Sequence, residues 1–300
     1  TIRGNEPEDG LVVSNTIING GGYYTFTTNN NAGLTLSGLT IHSNSYGVYV
    51  QNSAITVSDC NVIGGGGNSA IYTYNSDADI ARCQISASGD FSNGIYLQSG
   101  NGTIQNCRIH NCYTGILRTI SSSQQSTEIY GNMVYRNNFG IYISNDYGAP
   151  ATIRNNTVAY NTAYGIYFYS YEDPTAVSNC IVYNNNNGTQ QYQIYPASKT
   201  TVTYCDVQGG FAGTGNFNND PSFVSADANN FHLKFKSSCI DIRDASYTPP
   251  EATDIDGEQR ELDGDRDSTA KVDIGADEYF DNGDFNYDGI VNFKDYALMA

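Results

Sequence analysis

One short pattern returns along the first 240 residues, and it restricts the chain to very few folds. The stretch Gly38–Val50, GLTIHSNSYGVYV, recurs with variations. Aligning the β-branched residue of each copy gives a column: Ile41, Val62, Ile85, Ile109, Val134, Val158, Val182 and Val207, in steps of 21 to 25 residues. A second column runs Val48, Ile71, Ile95, Ile116, Ile141 and Ile166, mostly preceded by Gly and followed by Tyr. Self-similarity at this period marks a solenoid, in which each copy buries its apolar face against its neighbours. Within a copy, short alternating apolar and polar segments separated by Gly, Asn and Ser read as strands and turns. No window before the C-terminus keeps a helical period over ten residues, and the Leu consensus of a leucine-rich repeat is absent. The expected fold is all-β, a right-handed parallel β-helix with one coil per repeat and about eight or more coils. At about 4.8 Å per coil, the seven steps from Ile41 to Val207 make a rod of roughly 34 Å.

The residue two places before each aligned Ile or Val tests that register. These residues are Leu39, Cys60, Cys83, Cys107, Asn132, Asn156, Cys180 and Cys205, so five of the seven cysteines share one inward file. A buried free Cys packs as a small hydrophobe. No CxxC or Cys/His spacing points to a metal or redox site. Disulfides between coils fit the Cα spacing, but directly stacked parallel neighbours present poor side-chain geometry. Cys112 and Cys239 have no place in this file. Three residues after the aligned position stand Asn44, Asn137, Asn161 and Asn185, expected to form a turn ladder in the left-handed conformation that Asn tolerates. Arg118 takes an inward slot that other coils fill with Val50, Leu97, Ile143 and Phe168. A buried charge without a partner is very costly, so Arg118 is expected to turn out at a local irregularity beside the polar insert Ser121–Ser126.

On these repeats, residues 1–240 resemble the pectate-lyase-like family of right-handed parallel β-helix proteins. The stretches Asn218–Asp244 and Thr253–Phe280 resemble the closing segment that often follows such repeats in secreted bacterial proteins. The resemblance implies two chemistries on polysaccharides. A lyase or epimerase abstracts a proton beside a uronate carboxylate with an Arg or Lys base, a cation neutralising the acid. A hydrolase needs two carboxylates several ångströms apart. The repeat body is poor in acids: Asp59, Asp77, Asp79, Asp90, Glu128, Asp146, Glu172, Asp173 and Asp206 form no group of three on adjacent coils. Asp59 and Arg82 fall one coil apart and read as a surface ion pair. The polygalacturonase signatures are absent, Arg108-Ile109-His110 being nearest to the last of them. Arg108 and His110 flank inward Ile109 and are the weak catalytic candidates; their face, with Gln84, Ser86, Met133 and Tyr135, is read as free of acids, so no calcium lyase site is expected there. His42 lies three coils from His110, about 14 Å away.

Tyr49, Tyr72, Tyr96, Tyr142 and Tyr167 follow the second apolar column and are expected to project outward as a ladder that Leu117 interrupts. Stacked aromatics favour strand pairing. An exposed aromatic stripe also binds sugar rings or packs on a neighbouring molecule. Tyr23, Tyr24, Tyr164, Tyr169 and Tyr171 add to this surface.

The net charge of −17 is unevenly placed. Residues 1–240 carry 14 acidic and 9 basic side chains, whereas residues 241–300 carry 17 and 5. Without basic patches, nucleic acid is excluded as a partner. No apolar run approaches transmembrane length. Thr1 opens in mid-pattern, the expected mark of a processed or trimmed N-terminus. In the acidic tail, Asp284, Asn286, Asp288, Ile290, Asn292 and Asp295 fall at positions 1, 3, 5, 7, 9 and 12 of an EF-hand-like calcium loop, with Gly289 at the sharp turn. The stretch Gly283–Ala300 resembles one half of a type I dockerin, which implies a cohesin-like docking partner. Position 12 is Asp and not Glu, and the second loop of a full dockerin is absent. Asp254, Asp256 and Glu258 alternate, as do Asp263, Asp265 and Asp267; the latter set is the weaker calcium candidate. The expected organisation is a β-helix over residues 1–240, an acidic closing segment over 241–283 and a calcium loop with the start of a helix over 284–300. Low Lys, high Asn and a calcium loop favour an extracellular or cell-surface setting. Two functions stay open. One is a non-catalytic structural, adhesive or glycan-binding rod, attached or assembled through its C-terminus, with a polysaccharide, a surface protein or a second copy as partner and filaments as one outcome. The other is a polysaccharide lyase, epimerase or hydrolase.

Overall fold

Each copy of the repeat forms three short strands, because its alternating segments bury one face while Gly and Asn allow a sharp turn after each. The structure, a computed structural model, describes residues 2–3, 16–30, 33–120, 122, 124–144, 149–169, 175–189, 192–196, 200–242, 249 and 252–280. The strands stack coil on coil into three sheets, parallel throughout, here named A, B and C. Sheet A has nine strands from Ile2–Arg3 to Thr201–Thr203, sheet B nine from Ile17–Gly20 to Asp206–Val207, and sheet C eight from Tyr24–Asn29 to Ile194–Tyr195.

The register agrees residue by residue with the aligned columns. Ile41, Val62, Ile85, Ile109, Val134, Val158, Val182 and Val207 are successive partners in sheet B. Val48, Ile71, Ile95, Ile116, Ile141 and Ile166 are partners in sheet C, and Ile194 continues the row. A third row, Leu36, Val57, Ile80, Ile104, Ile129, Ile153, Val177 and Val202, lines the inside of sheet A. All three rows meet in one continuous buried core. The Gly before the sheet C row has a steric reason. A Cβ on Gly115 would sit 2.7 Å from the Gly140 carbonyl, and one on Gly140 2.5 Å from that of Gly165.

The turns carry two internal ladders. In the A–B turn, the backbone N–H of Cys83 donates to Cys107 Sγ at 3.4 Å, Cys107 to Asn132 Oδ1 at 2.9 Å, Asn132 to Asn156 Oδ1 at 3.0 Å, and Cys180 to Cys205 Sγ at 3.3 Å. All seven thiols are free and buried. In the B–C turn, Cys112, Asn137 and Asn161 donate their N–H to Asn137, Asn161 and Asn185 at 2.9–3.0 Å. Cys112 thus heads the Asn ladder, three residues after Ile109, whereas Asn44 stays exposed. The left-handed backbone expected of the ladder Asn residues belongs instead to the residue before each: Arg136, Tyr160 and Asn184. The ladder side chains themselves point inward to bond the adjacent coil.

Arg118 corrects a sequence expectation. It stays in its inward slot between Leu97 and Ile143, 1% exposed. Its guanidinium reaches the carbonyls of Ala149, Gln125 and Pro150 at 3.4–3.5 Å, so backbone carbonyls solvate the charge inside the coil and it has no need to turn outward.

The last repeat strand ends at Val207, and the chain then folds back along the outside of sheet B. Strands Phe223–Ser225 and Asn230–Leu233 form an antiparallel hairpin. Phe231, Ile255 and Ala276 pack on Met133, Tyr135 and Ala159; Leu233, Cys239, Ile240, Ile274 and Tyr279 pack on Ile181.

Candidate functional site

The tyrosine ladder forms as the register demands. Tyr49, Tyr72, Tyr96, Leu117, Tyr142, Tyr167 and Tyr195 are consecutive partners on the outward face of sheet C. Ring centroids lie 5.1 Å apart for Tyr49–Tyr72 and for Tyr72–Tyr96, 4.9 Å for Tyr142–Tyr167 and 5.6 Å for Tyr167–Tyr195. A flanking row widens each half: Tyr46 contacts Tyr49 and Tyr72, Phe139 contacts Tyr142 and Tyr167, and Tyr164 contacts Tyr167. Tyr23, Tyr24 and Tyr195 extend the surface at its two ends and are 60%, 39% and 38% exposed, so ring faces remain accessible there. On the other flank, Gln51, Tyr74, Gln98, Thr119 and Ser144 offer amides and hydroxyls. Tyr72 donates to Gln98, and Thr119 to Tyr96 at 3.4 Å. Burial, then neighbouring phenols, raises the Tyr46 and Tyr72 hydroxyls, which therefore stay neutral. Such a face can stack on flat apolar surfaces and exchange hydrogen bonds at ring edges. Tyr171 lies outside the described residues.

Arg108 and His110 share the outward face of sheet B, as the alternation requires, but they are not free of acids. Arg108 pairs with Asp256 and reaches the Ile255 carbonyl at 3.4 Å. His232 Nδ1 stands 2.9 Å from Asp277 and 3.4 Å from Asp256. His110 stacks on Tyr135 at 5.1 Å and lies 3.3 Å from the Gln84 amide; burial lowers its pKa. The acid-free reading of this face held for the repeats alone, because the carboxylates arrive from the folded-back segment. Burial works to lower the His232 pKa, but the Asp277 hydrogen bond and the charges of Asp277 and Asp256 outweigh it and bring the pKa to about 9. Arg108 and His232 thus balance Asp256 and Asp277, and the cluster acts first as an electrostatic clasp. The signal for this clasp was the apolar outward residues Met133, Tyr135 and Ile181, which a solvated sheet face would not carry.

Most closing-segment carboxylates hold backbone. Asp254 Oδ1 accepts the N–H groups of Asp256, Gly257 and Glu258 at 2.9–3.0 Å, and Oδ2 that of Glu278. Asp273 accepts from Asp241 and Tyr279, each at 2.7 Å. Asp263 and Asp265 converge with Asp241, their ligand atoms within 4.8 Å of one another, whereas Asp267 turns away to Lys271 at 3.2 Å. Asp254, Asp256 and Glu258 make a second such group, and burial followed by the Asp254 charge raises Glu258 to about 7. Asp284, Asn286, Asp288, Ile290, Asn292 and Asp295, the residues expected to ligate calcium, lie outside the described residues. On the outside of sheet A, Asp79 and Glu128 sit either side of Thr103, with Glu128 held by Arg154 at 2.8 Å. Arg82 and Asp59 form the expected exposed pair at 2.7 Å.

The architecture defines a class, a parallel β-helix rod with one outward face covered by its own C-terminal segment. The family described as right handed beta helix region matches residues 69–231, and the chain belongs to that family. Among solved structures the chain is similar to the pectate lyase Pel9A, with a TM-score of 0.62 and 14% identity, covering 93% of this chain and 83% of that one. At this identity the likeness is one of fold. No curated protein matches the chain. Among the described residues no helix is long and apolar enough to cross a membrane.

Proposed function

We propose that this protein is an extracellular, non-catalytic β-helix that binds polysaccharide through the tyrosine face of sheet C. The observation that carries the reading is the outward ladder from Tyr49 to Tyr195, interrupted only at Leu117, with accessible rings at both ends and hydrogen-bonding side chains along one flank. The polar cluster beside the catalytic candidates is paired within itself, Arg108 with Asp256 and His232 with Asp277. The C-terminal calcium loop completes the proposal as the point of attachment, with calcium as its cation and a cohesin-like protein or a second copy as its partner. Retardation in gels containing dissolved polysaccharides tests the reading. Tyr96→Ala with Tyr142→Ala is expected to weaken retention about tenfold or more, as truncating central aromatic anchors does. Unchanged retention would reject the ladder.

A second reading, a polysaccharide lyase, draws on the fold shared with Pel9A and on a cationic Arg108 beside Asp256, Asp277 and His232. Incubation with uronate polysaccharides, followed by absorbance of the unsaturated product, separates the two. Turnover abolished by Arg108→Ala would replace the non-catalytic reading with this one.

A further inference from the structure

The tyrosine face differs from the rest of the rod in charge. Its outward side chains are Thr27 and Asn29, Tyr49 and Gln51, Tyr72 and Tyr74, Tyr96 and Gln98, Leu117 and Thr119, Tyr142 and Ser144, Tyr167 and Tyr195. None is charged. The single ionic residue in these eight strands is Arg118, which points inward. The outward faces of the other two sheets do carry charges: Asp79, Glu128 and Arg154 on sheet A, and Arg108 on sheet B.

We propose that the sheet C face takes an uncharged polysaccharide laid along the rod axis, about one sugar per coil; this rests on the glycan-binding reading above. Charge supports the choice of ligand. A polyuronate would find no cation among the described outward side chains of this face, and the net charge of −17 would repel it at long range. A neutral pyranose needs an apolar ring face and hydrogen-bond partners for its hydroxyls, and phenols flanked by amides supply both. Spacing supports the direction. Coils repeat at about 4.8 Å, and neighbouring rings in the ladder stand 4.9–5.6 Å apart, comparable to the length of one sugar in an extended chain. Leu117 divides the surface into two three-rung ladders, Tyr49–Tyr72–Tyr96 and Tyr142–Tyr167–Tyr195. A chain long enough to cross Leu117 engages both at once, and its second contact becomes intramolecular.

Isothermal titration with cello-, xylo- and mannohexaose, and with hexagalacturonate at low and high salt, tests this. At least one neutral hexasaccharide is expected to bind, more tightly than its trisaccharide, and hexagalacturonate is expected not to bind. Leu117→Tyr joins the ladders without emptying the core and is expected to raise hexasaccharide affinity several-fold. Tyr72→Ala with Tyr167→Ala is expected to abolish binding, with circular dichroism checking that the rod is folded. Hexagalacturonate binding lost in the Tyr→Ala pair would overturn the neutral-ligand proposal and leave the glycan reading standing. No glycan binding, together with self-association abolished by the same pair, would overturn both and assign the face to a second copy.

Discussion

Asn161 sets the scale for what one side chain contributes to this fold. It is buried in the B–C turn, accepts from the Asn137 N–H at 2.9 Å, and donates to the Val134 carbonyl at 3.1 Å and to Asn185 at 2.9 Å. Asn161→Ala strands the Asn137 N–H and the Val134 carbonyl, both in the preceding coil, each costing about 1–3 kcal/mol. The variant is expected to lose about 3 kcal/mol, read as a lower urea midpoint. Arg82→Ala, which removes an exposed pair, is expected to lose less than about 1 kcal/mol in the same assay. The ladder could be read from the sequence because a period of 21 to 25 residues places Asn137, Asn161 and Asn185 over one another. Arg118 could not, because the carbonyls that solvate it lie 7, 31 and 32 residues away, in insertions that obey no repeat.

At the scale of elements, the folded-back segment is the part that sequence patterning left dark. Its acids were visible as alternating carboxylates, but alternation does not distinguish a calcium ligand from a cap on backbone N–H groups. The path of the chain decides that, and it turns Asp254, Asp273 and Asp277 onto backbone and His232. The clasp has a pH signature. The His232 pKa rises from 6.5 to about 9 in the folded chain, so protonated His232 stabilises the fold most fully below about pH 6.5, and that contribution is lost as pH rises through 9. His232 keeps 39% of its side chain exposed, which screens the effect. Hydrogen exchange of Asn230–Leu233 is therefore expected to accelerate between pH 7 and pH 10 beyond its intrinsic base-catalysed rate. In His232→Gln this excess is expected to disappear. An identical excess in both proteins would remove His232 from the clasp.

Over the whole molecule, the charge division separates a rod from its tail. Coil-on-coil packing of three inward rows holds the β-helix together, and none of those rows includes an acid. Calcium at the Asp284–Asp295 loop would stabilise only what it binds, by an amount set by its concentration relative to Kd. Chelation by EGTA is therefore expected to leave the rod's thermal midpoint unchanged and to open new protease cuts between residues 284 and 300, mapped by mass spectrometry. Asp288→Ala is expected to give the same cuts with calcium present, because it would remove the ligand at position 5 of the proposed loop. A cleavage pattern indifferent to both treatments would reject the loop. A rod whose midpoint falls on chelation would move the functional cation to the closing segment, where Asp241, Asp263 and Asp265 converge, and calcium would then act on the cover of sheet B and not on the tail.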